Sequence, residues 1–267
     1  MVLFTQVSML FLLLLGFSAC KEGDVEKKVK EVLEKHPEYV IDVLEKNPEK
    51  VLNALQKAIE QQREQGAKKQ QEDQEKAVDQ MIEKPLAPKI AADEVIRGTK
   101  GAPIVLVGYS DFECPYCTRG FAVVTSLLNK PEYKGKIQFI YKHLPLNFHP
   151  NARPAARYYE AIKDQSHELA IKFHDAVFEQ QGKLKNGEKF LQEVAKKINV
   201  NMKKLEESLK NSKIDSKIDE DMKEAEQFSI EGTPGFILNG VAIRGAYPEE
   251  YFIEIIKKLQ AAKKLSL

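Results

Sequence analysis

The sequence predicts a mixed α/β domain preceded by an α-helical N-terminal arm. Residues 104–107 form an uninterrupted apolar run, typical of a buried strand, and the segment after residue 117 has apolar residues at helical spacing. Residues 235–244 contain two short apolar runs joined by Asn-Gly, a pair that favours a tight hairpin turn. Helical periodicity dominates between these strand signals and before residue 84. Strands on both sides of a helix-rich stretch indicate an α/β fold.

Two cysteines lie between the first predicted strand and its helix, in the segment Cys114-Pro115-Tyr116-Cys117. Pro115 suits the first helical position, where a missing N–H group costs nothing. A thiol at Cys114 therefore faces unpaired backbone N–H groups and the positive end of the helix dipole. Such positions lower a cysteine pKa from about 8.5 to ~3.5–7.5. Cys117, one turn later, is placed to attack a mixed disulfide on Cys114, which is the minimum apparatus for thiol–disulfide exchange.

A second motif, Gly-Thr-Pro-Gly-Phe at residues 232–236, leads into a later predicted strand. Together with the first strand and the Cys-Pro-Tyr-Cys segment, it resembles the thioredoxin superfamily and, more closely, its periplasmic DsbA-like oxidoreductases. The resemblance extends from about residue 101 to about residue 259. It implies a thioredoxin fold with a helical insertion at about 150–229, and the helical arm precedes this domain.

The resemblance also implies roles for individual residues. Cys114 is expected to be the nucleophile and Cys117 the resolving cysteine. A cis peptide bond is expected between Thr233 and Pro234, which would lie beside the disulfide and present backbone to a substrate peptide. The substrate-binding residues implied are Thr233, Pro234, Pro115 and Tyr116. No cofactor is expected, because the redox-active disulfide Cys114–Cys117 carries the chemistry.

The remaining elements follow in the order of this fold. Residues 137–142 alternate in polarity and predict a strand. Residues 150–229 predict several helices, and this insertion explains the long separation of Cys117 from Pro234. Residues 235–238 and 241–244 predict a hairpin, and a closing helix is expected after Pro248.

Metal and haem sites are the alternatives to a redox site at the two cysteines. A structural zinc site usually has four ligands, but the chain has no second cysteine pair, and His167 and His174 lack a short ligand spacing. A c-type haem needs His directly after the second cysteine, where this chain has Thr118. A metal- or copper-handling lipoprotein, or an interaction module on the same scaffold, remains the alternative function.

The sequence departs from many DsbA-like relatives near the cysteines. Where they carry a buried Glu that handles the proton of the resolving thiol, this chain has Gly108. Asp111 and Glu113 are nearer to the cysteines, but we expect them to be solvated surface carboxylates that mildly oppose a thiolate. His143 and His149 are not assigned to the site, because a lone loop histidine is more often a cap or a surface group.

Residues 1–20 resemble an export signal with a lipoprotein cleavage box. An apolar core at residues 9–17 is followed by Ser-Ala-Cys, and the segment is too interrupted by polar residues to span a bilayer readily. The resemblance implies lipidation of Cys20, although Phe17 and the absence of a preceding basic residue depart from the family pattern. An uncleaved anchor is the alternative. Lys21 suggests sorting to the outer membrane, and either interpretation predicts a periplasmic location.

The sequence predicts an N-terminal arm with a polar linker at residues 21–84, in which residues 24–84 are the helical part. A catalytic domain is expected at residues 85–267. Val-Leu-Glu-Lys-x-Pro-Glu recurs after eleven residues, so the same helical face returns after three turns. The apolar stripe on this face is too extensive for so small a segment to bury against itself. The stripe therefore needs a partner, either the catalytic domain or another copy of the chain. The arm resembles the oligomerisation arms of dimeric or trimeric periplasmic disulfide isomerases, so we expect a homo-oligomer formed through residues 24–84; an arm that only spaces the domain from the membrane is the alternative. Residues 61–76 are almost wholly polar and predict a solvated helix or a tether.

Charge excludes one further class of function. The chain has 41 Lys and Arg against 40 Asp and Glu, without the basic excess of a nucleic-acid-binding protein. The expected partners are unfolded or misoxidised exported proteins and a membrane redox protein that reoxidises or reduces this one. The sequence leaves open whether the reaction is oxidation, isomerisation or reduction of disulfides.

Overall fold

The computed structural model describes residues 22–267, so the predicted export signal and Cys20 lie outside the described residues. The chain divides into two compact units between Gln70 and Gln71. Among the described residues, no helix combines the length and the apolar character needed to cross a bilayer.

The N-terminal unit is helical, as predicted. Helix α1 spans Glu22–Lys35, α2 spans Glu38–Lys46 and α3 spans Pro48–Glu83. The proline of each repeat lies at a break or at the first position of a helix, where its missing N–H group is tolerated. Val51 of the predicted apolar stripe is half-buried. Each of its other positions is at least 41% exposed: Val25, Val29, Val32, Leu33, Val40, Val43, Leu44, Leu52, Leu55 and Ile59. The polar residues 61–76 are helical and belong to α3.

The mixed sheet of the second unit confirms the predicted strands. Five strands are present in the described chain, in the order β1-β3-β2-β4-β5. They are β1 (Ile96–Gly98), β2 (Ile104–Ser110), β3 (Ile137–His143), β4 (Gly235–Leu238) and β5 (Val241–Arg244). The central strand β2 pairs parallel with β3 and antiparallel with β4. The ends of β2 and β3 and the start of β4 therefore meet at one edge of the sheet, which places the segments after them close together.

Helices cover both faces of this sheet. Helix α4 (Pro115–Asn129) follows β2, and α10 (Glu249–Ala261) closes the domain. The predicted insertion consists of α5 (Ala152–Lys163), α6 (His167–Glu179), α7 (Glu188–Lys197), α8 (Met202–Ser208) and α9 (Lys213–Gln227), with a 3₁₀ helix at Gln181–Asn186. Successive residues of β2 enter different cores: Leu106 belongs to the larger cluster, and Val107 packs with Ala225 of α9 on the other face. This alternation is the period-2 geometry of a strand buried on both sides.

The last turns of α3 belong to the second unit, although the sequence pattern predicted them to be part of the arm. Val78 and Ile82, one helical turn apart, are buried in the larger core cluster. Gln74 donates a hydrogen bond from Nε2 to the hydroxyl of Tyr251 on α10, at 2.8 Å. The compact unit therefore begins at Gln71, before the boundary that the sequence analysis placed at residue 85.

Candidate active site

Cys114 is the N-cap residue of α4, as the sequence predicts. Its backbone is extended, with φ −74° and ψ 121°, and Pro115 occupies the first turn. The N–H group of Cys117 donates to the carbonyl oxygen of Cys114 at 3.0 Å, which closes that turn. Both cysteines are free, and both are buried. Cys114 therefore lies between β2 and α4, at the positive end of the helix dipole, and is buried from solvent.

The surroundings of Cys114 strongly favour its thiolate. A hydrogen bond from the Cys117 thiol contributes most to lowering the pKa of Cys114, which falls to about 5, while burial opposes this change. Interactions with Thr233 and with the backbone N–H groups of Tyr116 and Cys117 lower the pKa further. The backbone N–H groups and the helix terminus were predicted from the sequence, but the largest contribution to the lowered pKa comes from Cys117.

Cys117 has the opposite character. Its side chain is 1% exposed, and burial, followed by the hydrogen bond with Cys114, raises its pKa far above the ordinary value. The backbone N–H of Asp111 donates to its Sγ atom at 3.4 Å, and the Ser110 side chain also acts against the increase. Near neutral pH the pair is therefore one thiolate beside one protected thiol, which is the charge distribution that a nucleophile and a resolving residue need.

The predicted Thr233-Pro234 motif lies beside the cysteines. The peptide bond between these two residues is cis, which confirms the prediction. The Sγ atom of Cys114 donates to the carbonyl oxygen of Thr233 at 3.4 Å. A Cβ atom on Gly120 would lie 3.0 Å from the Pro234 ring, so a glycine at this position lets α4 approach the proline closely.

Two members of the predicted substrate-binding set, Tyr116 and Pro115, are exposed. The Tyr116 side chain is 53% exposed, and the guanidinium group of Arg119 lies 4.6 Å from the centre of its ring. Pro115 lies between Tyr116 and Cys114. An apolar surface thus adjoins the buried Cys114 on the helix side of the site.

No acidic side chain can enter β2 at Gly108 without displacing its neighbours. A Cβ atom there would lie 2.8 Å from the ring of Phe139. A cavity of about 10 Å³ adjoins this position, and its lining includes Cys117, Tyr141 and His174. Burial lowers the pKa of His174 to about 4, so its imidazole is neutral at physiological pH. The hydroxyl of Tyr141 has no hydrogen-bond partner in the described part of the chain.

Asp111 is a buried carboxylate, and the expectation of a solvated surface group was wrong. Its side chain accepts hydrogen bonds from the N–H groups of Glu113 at 2.7 Å and Leu146 at 2.8 Å. Nδ1 of His149 lies 2.8 Å from the same carboxylate. The loop after β3 folds over the end of β2, which removes Asp111 from water and satisfies its oxygens.

The two histidines near the site therefore have different environments. His149 is part of the loop that holds Asp111, whereas Nε2 of His143 pairs with the buried Glu160 at 2.9 Å. Burial opposes ionisation of Glu160, but its contacts with His143 and Lys163 lower its pKa to about 2. Within residues 22–267 no group of three or more His, Cys, Asp and Glu side chains is arranged to hold a metal ion.

Comparison with known proteins agrees with this geometry. Residues 89–258 match the family model described as thioredoxin. Alpha-DsbA1 from Wolbachia pipientis has a similar structure, with 24% identity and a TM-score of 0.57, and the match covers 68% of this chain and 96% of that one. A thioredoxin-like oxidoreductase from Silicibacter pomeroyi shares 20% identity at a TM-score of 0.58, over 64% of this chain and 94% of that one.

The curated relatives are longer proteins. The Na(+)/H(+) antiporter NhaA 1 of Salinispora arenicola is 32% identical over 171 residues, which cover 64% of this chain and 25% of the antiporter. This chain thus spans about a quarter of the length of the curated relatives it matches.

Proposed function

This chain belongs to the thioredoxin family, and from that premise we propose that it is a DsbA-like thiol–disulfide oxidoreductase acting on exported proteins. The observation that carries the proposal is the unequal pair at the start of α4. Cys114 has a pKa lowered to about 5 beside the backbone of Thr233, and Cys117 is a buried thiol of raised pKa.

In the oxidising direction the disulfide Cys114–Cys117 reacts first. A substrate thiolate attacks Sγ of Cys114, a new S–S bond forms, and the electron pair of the broken bond leaves on Cys117, which takes up a proton. A second substrate thiolate then attacks the substrate sulfur of the mixed disulfide, and Cys114 leaves as a thiolate. The substrate loses two electrons and the active site gains them. A leaving thiol of low pKa departs faster, so the lowered pKa of Cys114 favours this second step.

The same charge distribution favours oxidation or isomerisation over reduction. Stabilising the thiolate stabilises the reduced active site, and a stabilised reduced form makes a strong oxidant. In an isomerase, the reduced Cys114 attacks a wrong disulfide of the substrate and is later released by the correct substrate thiol. The Tyr116 side chain and the backbone of Thr233 are the proposed contacts for the substrate peptide.

Location and assembly form the second part of this proposal. We assign the catalytic unit to the periplasm, anchored through a lipidated Cys20 to a membrane, with the outer membrane favoured by Lys21. The exposed apolar stripe of α1, α2 and the start of α3 supports assembly into a homo-oligomer, because an apolar patch of that extent usually marks an interface. A membrane redox protein would restore the working state of the cysteines.

Assays of insulin reduction and substrate oxidation test the proposed activity, and equilibration with glutathione measures the reduction potential. The purified protein should reduce insulin or oxidise a reduced substrate, and Cys114→Ser should abolish both reactions. A reduction potential nearer ~−120 mV than ~−270 mV is expected, because the former belongs to an oxidant with a stabilised reduced form. A protein that exchanges disulfides neither with these substrates nor with glutathione would contradict the proposal and favour a metal-handling or interaction role.

A further inference from the structure

Gln181 connects the helical insertion to the active-site segment through three hydrogen bonds. It is the first residue of the 3₁₀ helix that follows α6. Its Nε2 atom donates to the carbonyl oxygens of Phe112 at 2.9 Å and of Cys114 at 2.8 Å. Its Oε1 atom accepts from the hydroxyl of Thr118 at 2.9 Å. One side chain of the insertion thus contacts residues before, at and after Cys114.

The partners fix the orientation of this amide. The two carbonyl oxygens can only accept hydrogen bonds, so the NH₂ group of Gln181 must face them. The hydroxyl of Thr118 then donates to the remaining oxygen. Both amide hydrogens are used, each on a different carbonyl. A carboxylate at this position could not donate to either carbonyl oxygen and would repel both, and a shorter amide side chain would not reach all three partners.

The hydrogen bond from Gln181 to the carbonyl oxygen of Cys114 matters because Pro115 follows this residue. The peptide unit between these residues has no N–H group, so it can be held by hydrogen bonds only through its oxygen. That oxygen accepts from Gln181 and from the N–H of Cys117. The orientation of this peptide unit sets the direction of the Cys114 side chain relative to the N–H groups of the first helical turn.

We propose that Gln181 is a positioning residue that holds the active-site segment in the geometry of the Cys114 thiolate, and that the insertion thereby tunes the redox equilibrium. This inference rests on the proposed function. Without the amide donors, the segment 112–114 is free to turn the sulfur away from the N–H groups of Tyr116 and Cys117. The thiolate then loses stabilisation, the reduced form rises in free energy relative to the disulfide, and the protein becomes a weaker oxidant.

Gln181→Met is the principal test, because Met keeps the length of the side chain and removes its hydrogen-bonding groups. Two quantities are measured on the soluble chain from residue 21 onward: the rate of Cys114 alkylation against pH, and the equilibrium with glutathione. We expect the alkylation to titrate at higher pH than in wild type. The equilibrium should shift toward the disulfide by roughly tenfold, the effect of about one net hydrogen bond, which is about 30 mV for two electrons.

Thr118 provides a second pair of variants that does not alter Gln181 itself. Thr118→Val keeps the shape of the side chain but removes the hydroxyl that orients the amide, so it should shift both quantities in the same direction by a smaller amount. Thr118→Ser keeps the hydroxyl and should retain wild-type values. If Gln181→Met does not fold, the comparison of Thr118→Val with Thr118→Ser tests the inference through the same two measurements, the Cys114 titration and the glutathione equilibrium.

Gln165 offers the matched control. It lies in the same insertion and makes the same kind of contact, with Nε2 donating to the carbonyl of Asn201 at 3.2 Å and Oε1 accepting its N–H at 3.1 Å. Gln165→Met should leave the Cys114 titration and the glutathione equilibrium unchanged. If Gln181→Met behaves like this control and loses only thermal stability, Gln181 is merely structural and the inference is wrong. A wild-type protein without a low Cys114 pKa would instead contradict the proposed function.

Discussion

The thiol of Cys114 lies 3.4 Å from the carbonyl oxygen of Thr233, to which it donates a hydrogen bond. These residues are 119 positions apart and meet because β2 ends, and β4 begins, at the same edge of the sheet. An acceptor next to Cys114 is useful only while the sulfur carries a proton. Once the thiolate forms, hydrogen bonds from Cys117 and from the helix N–H groups hold its charge.

The pH dependence of the reduction potential follows from this charge. With a Cys114 pKa of about 5, reduction above that pH adds two electrons but only one proton, which goes to Cys117. A tenfold change in proton concentration is worth about 30 mV per proton for a two-electron couple. The potential should therefore fall by about 30 mV per pH unit above pH 5 and about twice as steeply below it. A uniform two-proton slope up to pH 8 would contradict the lowered pKa.

The stability of the reduced protein should show the same pKa. The folded pKa of Cys114 lies below its unfolded value, so the thiolate stabilises the fold fully above the unfolded pKa of about 8.5. This contribution declines as the pH falls and is lost below about 5. Urea titrations of the reduced protein minus those of the oxidised protein, from pH 7.5 to pH 4.5, measure this decline, because Cys117 stays largely protonated in both the folded and the unfolded state over this range. A difference that does not decrease toward acid pH would count against the thiolate.

Changes at Cys117 should separate its two roles. Cys117→Ala removes the thiol that contributes most to the lowered pKa, so Cys114 should titrate at higher pH. Cys117→Ser keeps a donor at this position and should preserve part of the effect. Both variants should accumulate mixed disulfides with substrates, because no second thiol resolves them. Gel analysis without reductant detects these complexes, and their absence from both variants would rule out Cys117 as the resolving residue.

The features that the sequence predicts correctly are those whose signal is local. The apolar run of β2, the Asn-Gly turn between β4 and β5, and the Thr233-Pro234 motif each lie within a few residues, and the structure confirms each of them. The burial of Asp111 depends instead on His149, 38 positions later, and on how the intervening loop folds. Val78 and Ile82 were likewise missed as core residues, because two apolar positions one turn apart in a highly charged helix resemble a solvated face.

Replacing Asp111 should cost stability, because its carboxylate serves three donors. Asp111→Asn turns one accepting oxygen into an NH₂ group that faces a donor, and leaving a buried group unsatisfied costs about 1–3 kcal/mol. Denaturant unfolding measures this loss. Asp93→Asn is the control, since Asp93 is 75% exposed on its side chain and should change little. Equal stability of the two variants would show that the buried network contributes nothing.

Cys20 should carry the lipid if the proposed anchoring is correct. Metabolic labelling with a fatty acid should mark the wild-type protein and leave Cys20→Ser unlabelled, and fractionation should move the variant out of the membrane pellet. The catalytic cysteines serve as a control, because Cys114→Ser should be labelled like wild type. A mature protein that retains residues 1–19 would contradict the lipoprotein assignment.

The arm can be tested without damaging the catalytic unit only if the deletion ends at residue 70. Removing residues 24–84 would also remove Val78 and Ile82 from the core and the hydrogen bond from Gln74 to Tyr251, so it should destabilise the domain. Removing residues 24–70 takes away the exposed apolar stripe and keeps those contacts. We expect the shorter deletion to give a folded monomer that still exchanges dithiols.

Light scattering and a refolding assay then separate assembly from activity. The soluble chain from residue 21 onward should be an oligomer, because one short arm cannot bury the stripe. Several active sites in one particle can hold a misfolded substrate at more than one point, which raises the effective concentration of the second contact. The deletion should therefore lose the ability to reshuffle scrambled ribonuclease and keep its insulin reduction. The oligomer hypothesis is falsified if the chain from residue 21 onward is monomeric. An oligomer that never isomerises would contradict only the proposed isomerase activity.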